Sequence, residues 1–445
     1  MADPLLKTFC ALPWIHSFVN LGGEYQVCCT SEEFHRGILD DSGSIFNVQN
    51  SPSLESVMNS NYMKDVRKKL LAGEFPELCR RCVITETNGG VSRRMNENTK
   101  MSERMDLSAL AAQTAPDGSI PIDIRTGDYR LGNVCNLKCR MCHPASSSQW
   151  LQDWNAVKFD DEKLTPDLEQ KYAHYDWVDG EAVANDLRAK VAHLEFLHFA
   201  GGEPLFGPRM ADFLEICIAS GRADKIILSY NTNITLVPER VKKLWPRFQE
   251  VRLYCSIDGV GAVNDYIRVP SRWAMIDQNI RRLDTEAKDL RISEILLSTT
   301  VQAYNMLNLD ALFDYVAQFE NVAKAINLIS LFRPEYLQAT ILPKAVKMEA
   351  RQRLLAARAR VISQVVAEHR YLLSSVDQVL NFMDSEDRSD LLPQFLEYNR
   401  RLDQKNGKSF EKSIPELYQA LQSEKNVATD LRELKPPSKI SEKRP

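Results

Sequence analysis

The chain has 445 residues, 60 acidic against 56 basic side chains and a formal net charge of −4. That length suggests two or three domains, and a composition of 44% hydrophobic and 26% charged residues excludes wholesale disorder. The charge gives no global pull toward nucleic acid or anionic lipid, no apolar run approaches the roughly 18–20 residues of a membrane span, and MADPLLKTFC lacks a secretory leader's basic and apolar regions. The expectation is a cytoplasmic protein that engages neither nucleic acid nor membrane.

Residues 1–100 read as a small α+β unit. Trp14 to Asn20 and Tyr25 to Cys29 are strand-like runs joined by a hairpin turn at Leu21-Gly22-Gly23-Glu24. Ser51-Pro52 is read as the start of a helix carrying Leu54, Val57, Met58, Met63, Val66 and Leu70, ended by Gly73. Residues 101–120, Ala-rich and containing Pro116-Asp117-Gly118, read as a linker.

From 121 to 335 strands and helices alternate. Strands are expected at Ile122–Leu131, Leu194–Phe199, Lys225–Tyr230, Val251–Ile257, Glu294–Val301 and Ala325–Leu331, with helices near 208–220, 238–246, 272–288 and 308–320. Six such units imply a parallel sheet, doubly wound or curled toward a barrel. The spacing from Cys142 to Leu194 exceeds a simple crossover. An insert at about 145–190, bearing Trp150, Trp154 and Trp177, is expected to form a helical lid or substrate surface, with plain structural packing as the alternative. Residues 336–430 read as helical, and the charged, Pro-containing tail 431–445 as disordered.

Eight of the ten cysteines precede residue 143. Without an export signal, clustered thiols point to metal or redox chemistry rather than disulfides, whereas Cys217 and Cys255 sit alone in apolar segments as packing residues. Cys135, Cys139 and Cys142 form a C-x3-C-x2-C triplet. Three thiolates this close can wrap one face of an iron–sulfur cube and leave the fourth iron without a protein ligand. Structural zinc is the alternative, but it wants four ligands.

The triplet, following the first strand of the alternating region, resembles the signature of the radical SAM superfamily. Leu194 to Pro204, ending in Gly201-Gly202-Glu203-Pro204, is similar to that family's second strand and GGEP motif. The resemblance implies a partial (β/α)6, TIM-like barrel over 121–335. Gly201 and Gly202 would let main chain approach the methionine part of S-adenosylmethionine (SAM), with Glu203 receiving its ammonium. Cys255-Ser256-Ile257-Asp258-Gly259 resembles the ribose-contacting segment, with Ser256 on the ribose and Asp258 supporting the loop. Arg268 would grip the SAM carboxylate or, read plainly, form a surface ion pair. Thr299-Thr300-Val301-Gln302 and Asn305 resemble the segment flanking adenine and ribose, and plain barrel core is the alternative. The residue before the third cysteine is usually aromatic in this family, and here it is Met141.

Cys10, Cys28, Cys79 and Cys82, with Gly23 ahead of Cys28 and a C-x2-C pair at the end, resemble the twitch or SPASM auxiliary-cluster module, here placed before the barrel. Four thiolates saturate a second [4Fe–4S] cluster and suit electron transfer, although the same four suit zinc, and Cys29 could exchange roles with Cys28.

The resemblance implies reductive cleavage of SAM to a 5′-deoxyadenosyl radical that takes hydrogen from a substrate. The substrate is expected to be a peptide or protein side chain undergoing oxidative modification, or else a sugar or other small molecule. An external one-electron donor such as flavodoxin or ferredoxin is implied. Two other classes compete: a non-catalytic iron–sulfur electron carrier or scaffold, and a zinc-stabilised nucleic-acid binder using Arg80-Arg81 and Arg93-Arg94.

Overall fold

A computed structural model describes residues 7–31, 37–87, 90–173 and 175–423, so the 431–445 tail lies outside the described residues. Six strands, β3 (Thr126–Arg130), β4 (Phe196–Ala200), β5 (Ile227–Thr232), β6 (Glu250–Ser256), β7 (Ile292–Val301) and β8 (Asn327–Ser330), pair in chain order, all parallel. Helices Glu181–Lys190, Met210–Ala219, Glu239–Leu244, Trp273–Glu286 and Leu309–Val316 lie on the connections. This is the α/β architecture of a sheet wound in one direction.

Alternation along the strands explains the curl. Tyr129, Phe199 and Tyr230 point to the helix side, where Phe199 stacks on Phe213 (6.3 Å) and Tyr230 (5.8 Å), and Tyr230 meets Trp245 (5.9 Å). Each large apolar side chain buried there contributes about 1.5–3 kcal/mol. Cys217 and Cys255 lie fully buried in this layer.

The N-terminal segment is not a separate body. Strand β1 (His16–Val19) runs parallel to β3 in register His16↔Thr126 to Val19↔Tyr129, and β2 (Tyr25–Gln26) pairs antiparallel with β1. The barrel sheet therefore has eight strands in the order β2-β1-β3-β4-β5-β6-β7-β8. Tyr129 Oη donates to Asp186 Oδ2 at 2.6 Å, and Tyr25 and Lys190 bond the same carboxylate, which ties the hairpin to helix Glu181–Lys190.

Several local expectations change. Residues Leu12–Ile15 form a helical turn ahead of β1, with Pro13 in its first turn. The helix expected from Ser51 is two helices, Leu54–Met58 and Asn61–Leu71, because Ser53 and Ser60 each cap an N-terminus. The fully buried Arg67 donates to the Met58 carbonyl between them. The stretch read as a linker holds a helix, Leu107–Ala112, capped by Asp106; Leu107, Leu110 and Ala111 are buried, and Thr114 accepts the Trp14 indole N–H at 2.8 Å. Its Pro-Asp-Gly turn is present, with Gly118 at φ +92°.

The insert's three tryptophans are buried rather than displayed. Trp150 and Trp154 meet edge to face at 5.5 Å, and Trp177 donates to the Leu21 carbonyl of the hairpin (2.8 Å), so these rings hold the insert in place. The C-terminal region is helical, including Lys344–Val361, Ser374–Asp384 and Leu392–Asn406, the last closed by Gly407 at φ +62°. Among the described residues no helix is long and apolar enough to cross a membrane.

Candidate functional site

The triplet loop leaves the C-terminal end of β3, where α/β barrels carry their sites. The loop after β4 is zipped onto it: Gly202 N–H donates to the Gly132 carbonyl and Glu203 N–H to the Val134 carbonyl, both at 2.9 Å. A Cβ on Gly202 would stand 2.2 Å from the Val134 carbonyl oxygen, and Gly201 sits at φ +124° with a virtual Cβ 2.7 Å from Leu131 N. Both glycines are thus required by contact with the chain's own backbone.

Other bonds fix the loop. Lys138 N–H reaches the Val269 carbonyl (2.7 Å), Arg140 N–H the Ile267 carbonyl (2.8 Å) and the Trp150 indole the Cys139 carbonyl (3.1 Å). Asn133 donates to the carbonyls of Pro144 and Tyr172, and Asn233 donates to Asn136.

Cys135 and Cys139 are buried and Cys142 half-buried. Burial pushes the Cys135 thiol up to about 12, helped by Cys139. It pushes Cys139 up to about 11 against the pull of Arg268, and raises Cys142, to which the other two thiols add. Three neighbouring thiols disfavour one another's ionisation until a cation supplies the compensating charge, so the donor set fits an iron–sulfur cluster. Among the described residues no three His, Cys, Asp or Glu side chains close around a single-ion position, and a cube needs no such closure.

Glu203 is 3% exposed. Its Oε1 accepts from Thr232 Oγ1 (2.7 Å) and Leu205 N (3.1 Å), and its Oε2 from Asn233 N (2.6 Å). Burial nevertheless pushes its pKa up to about 7. A carboxylate this well oriented and this short of positive charge suits an incoming ammonium.

Asp258, fully buried, accepts from Thr300 N at 2.8 Å. Arg268 Nε lies 2.8 Å from Asp258 Oδ2 but off the line of its N–H, so the contact is an ion pair rather than an aligned hydrogen bond. Arg268 Nη1 stands 3.9 Å from Cys139 Sγ. Burial works against the guanidinium's charge, yet Asp258 and then Cys139 hold its pKa above the usual range. Arg268 is thus an internal link between the 258 loop and the triplet rather than a surface residue. Ser256 is half-buried at the end of β6, and Val301 is buried at the end of β7 with its carbonyl taken by Leu331 N–H (2.9 Å).

At the other edge Cys10, Cys28, Cys79 and Cys82 are gathered. Burial raises the Cys10 thiol, and Cys28, Cys79 and Cys82 each add to it. Cys79 is pushed up to about 12 by burial, then by Cys28 and Cys82. Cys29 faces the other way; burial raises its pKa, and its charged neighbours include Arg93, Asp128 and Arg130. Arg81 lies 5.6 Å over the Phe332 ring beyond β8, so the N-terminal segment spans the barrel's open side.

Asn305, read from the sequence as part of the adenine-flanking segment, and Asn264, which sequence reasoning missed, brace these loops. Asn305 Nδ2 donates to the carbonyls of Asp258 and Thr300, both at 2.9 Å, and Asn264 Oδ1 accepts Asp258 N–H at 3.0 Å. Arg140 was legible only as a basic residue between two cysteines; its partners lie in the C-terminal helix.

With this geometry in view, comparison with protein-family models matches residues 129–295 to the radical SAM superfamily and residues 10–83 to the SPASM iron–sulfur cluster-binding domain. Residues 129–295 thus form a radical SAM domain. The SPASM domain precedes the radical SAM domain, and the two domains imply iron–sulfur and SAM binding. Among solved structures, this chain is similar to native anSMEcpe with bound AdoMet and Cp18Cys peptide, with 15% identity, 53% of this chain and 60% of that one covered, and a TM-score of 0.32. Native anSMEcpe with bound AdoMet gives 17% identity, 53% and 61% coverage and a TM-score of 0.34. Streptococcus suis SuiB bound to precursor peptide SuiA gives 13% identity, 65% and 69% coverage and a TM-score of 0.28. The chain thus spans about 60% of the length of the first solved structures it matches. The comparison with curated proteins gave no match.

Proposed function

We propose that the protein reductively cleaves SAM and abstracts hydrogen from a peptide or protein side chain, in a net oxidative modification. The observation that carries this reading is the meeting of the three-thiol loop with the Gly201-Gly202-Glu203 loop at one end of the sheet. Cys135, Cys139 and Cys142 would hold a [4Fe–4S] cluster, and Cys10, Cys28, Cys79 and Cys82 would hold a second, which would supply a one-electron acceptor. When bound, the first cluster and SAM supply a 5′-deoxyadenosyl radical.

The chain's own residues orient that chemistry. Glu203, fixed by three donors, takes the ammonium of the methionine moiety. Gly201 and Gly202 keep the second loop against the first, and Asp258 holds Arg268 against Cys139. Ser256 and the backbone near Val301 flank the nucleoside. The cradle excludes water and aligns the reacting atoms, which is the protein's share of catalysis. Peptide as the substrate class follows anSMEcpe and SuiB, the peptide-bound proteins to which this chain is similar.

Anaerobic reconstitution tests the reading. About eight iron per chain with matching sulfide, and 5′-deoxyadenosine on reduction with SAM, are expected. Cys139→Ala should abolish that product and Cys79→Ala should retain it. Zinc without sulfide overturns the proposal.

A further inference from the structure

The concave face of the sheet carries a belt that the mechanism above leaves unused. Register sets Phe18, Asp128, His198, Ser229, Arg252 and Glu294 side by side, one on each of β1 and β3 to β7. They alternate with Tyr129, Phe199 and Tyr230, which pack toward the helices, so the belt lines the barrel interior. Barrel interiors are usually filled by branched apolar side chains. Here five of the six belt residues are polar or charged.

Toward β7 the belt satisfies itself. His198 Nδ1 lies 2.8 Å from Ser229 Oγ, Arg252 Nε donates to Glu250 Oε1 (2.9 Å), and His369 Nε2 lies 2.8 Å from Glu294 Oε1. Toward β1 it does not. Asp128 is 3% exposed, and its Oδ2 accepts from Arg130 Nη2 at 3.2 Å. Its Oδ1 has no aligned donor, since Arg130 Nε stands 3.2 Å away off the line of its N–H. His16, 5% exposed, sits on the adjacent strand with Nδ1 2.7 Å from Thr126 Oγ1. We assign the Nδ1–H tautomer, in which the Thr126 hydroxyl turns to the Ile15 carbonyl (3.5 Å), Nδ1 donates to it and Nε2 is an acceptor with no partner.

Two buried acceptors without donors forfeit the hydrogen bonds water gave them until something meets them. Burial holds His16 neutral, its pKa lowered to about 4 against the opposing pull of Asp128. Arg93, from helix Arg93–Ser102, acts on both residues and leaves 35% of its side chain accessible; Glu97 lies 3.3 Å from its Nε. Arg130 offsets Asp128 and Glu97 offsets Arg93, so the corner is near neutral and calls for a neutral guest with two donors and one acceptor.

We propose that Asp128, His16 and Arg93 form a substrate subsite for a primary carboxamide, the side chain of an Asn or Gln in a peptide. The NH2 group donates one hydrogen to Asp128 Oδ1 and the other to His16 Nε2, while the carbonyl accepts from Arg93. A backbone amide has one N–H and leaves one acceptor unmet. This assignment rests on the peptide-modifying reading above.

The test uses reconstituted holoenzyme with SAM under anaerobic conditions, first scored for iron content and for a SAM-induced change in the EPR signal of the reduced protein. A wild type that fails that score defeats the functional reading itself. Binding is then read by saturation-transfer NMR with N-acetyl-asparagine methylamide, N-acetyl-glutamine methylamide, N-acetyl-aspartate methylamide and methyl glucoside. One or both amide probes should bind at least tenfold more tightly than the acid and the glycoside. Asp128→Leu and His16→Phe should each weaken the amide at least tenfold, with iron content and the SAM response retained. Arg93→Met, on a helix outside the sheet, should weaken it as well, and decides the matter if the strand variants fail to fold. Amide probes that do not bind, that bind wild type and variants alike, or that bind no better than the acid or glycoside overturn the subsite.

Discussion

Arg140, between the second and third cysteines of the triplet, donates to Asn399 Oδ1 at 3.1 Å across 259 positions of sequence. Its other donors reach Asp403 Oδ1 (2.5 Å) and the Tyr266 carbonyl (2.7 Å), its guanidinium lies 3.5 Å over the Tyr266 ring, and Tyr398 Oη donates to its carbonyl (2.7 Å). Helix Leu392–Asn406 therefore clamps the triplet loop from behind, and this part of the helical C-terminus serves the cluster loop directly.

Breaking a buried pair of this kind costs about 3–5 kcal/mol. Arg140→Met should lose most triplet iron on reconstitution while the four-cysteine site keeps its share, roughly halving iron per chain. Arg140→Lys should not rescue it, because an ammonium cannot span Asn399, Asp403 and the Tyr266 carbonyl together. Iron analysis with EPR separates the two sites.

Gly202→Ala meets the Val134 carbonyl oxygen at 2.2 Å, and backbone cannot give way as a side chain tip can. The two loops should part, and 5′-deoxyadenosine formation should fall at least a hundredfold in a chain destabilised by about 1–3 kcal/mol. Rate and denaturation midpoint together measure this.

Glu203 has a folded pKa of about 7 against 4.5 for an ordinary glutamic acid, raised by burial. The folded, cofactor-free chain thus holds a proton that the unfolded chain releases. The stability tied to that proton is complete below about pH 4.5 and is lost as pH rises through 7, in total about 3 kcal/mol. Glu203→Gln should flatten that component in denaturation curves taken across the range. Near pH 7, SAM binding should expel the proton, visible as a buffer-dependent binding enthalpy that Glu203→Gln abolishes.

Arg268 places positive charge and an N–H 3.9 Å from Cys139 Sγ. Donation to a cluster sulfur favours the reduced state, so Arg268→Gln should shift the triplet cluster's midpoint potential negative by tens of millivolts in an EPR-monitored titration. Loss of SAM affinity with an unchanged potential would instead favour the carboxylate-gripping role.

What the sequence disclosed tracks the range over which its patterns act. The strand at β6 was legible because Leu253 and Cys255 alternate with Arg252 and Tyr254 within one segment, and the triplet because its thiols are local. The Thr126–Arg130 strand was legible too, but not its neighbour: nothing near residue 16 announces pairing with residue 126. Arg140 and Asn399 were invisible together for the same reason. The three tryptophans of the insert left substrate surface and plain packing both open in the sequence, because only the fold shows a carbonyl such as that of Leu21 taking an indole N–H. The belt escaped notice because its members lie one per strand, and only register makes them neighbours.

The pairing of β1 with β3 has a consequence for how electrons travel. A module joined by a hinge can swing, and its distance from a redox partner then varies with every fluctuation. Here four backbone rungs between residues 16–19 and 126–129 weld the chain that carries Cys10 and Cys28 to the strand that launches Cys135. The spacing of the two thiol sets is therefore fixed by the sheet, and on the proposed two-cluster reading no substrate encounter has to re-establish it. The first twenty residues wait more than a hundred positions for their partner, so a truncation that removes them strips the barrel of an edge as well as a thiol.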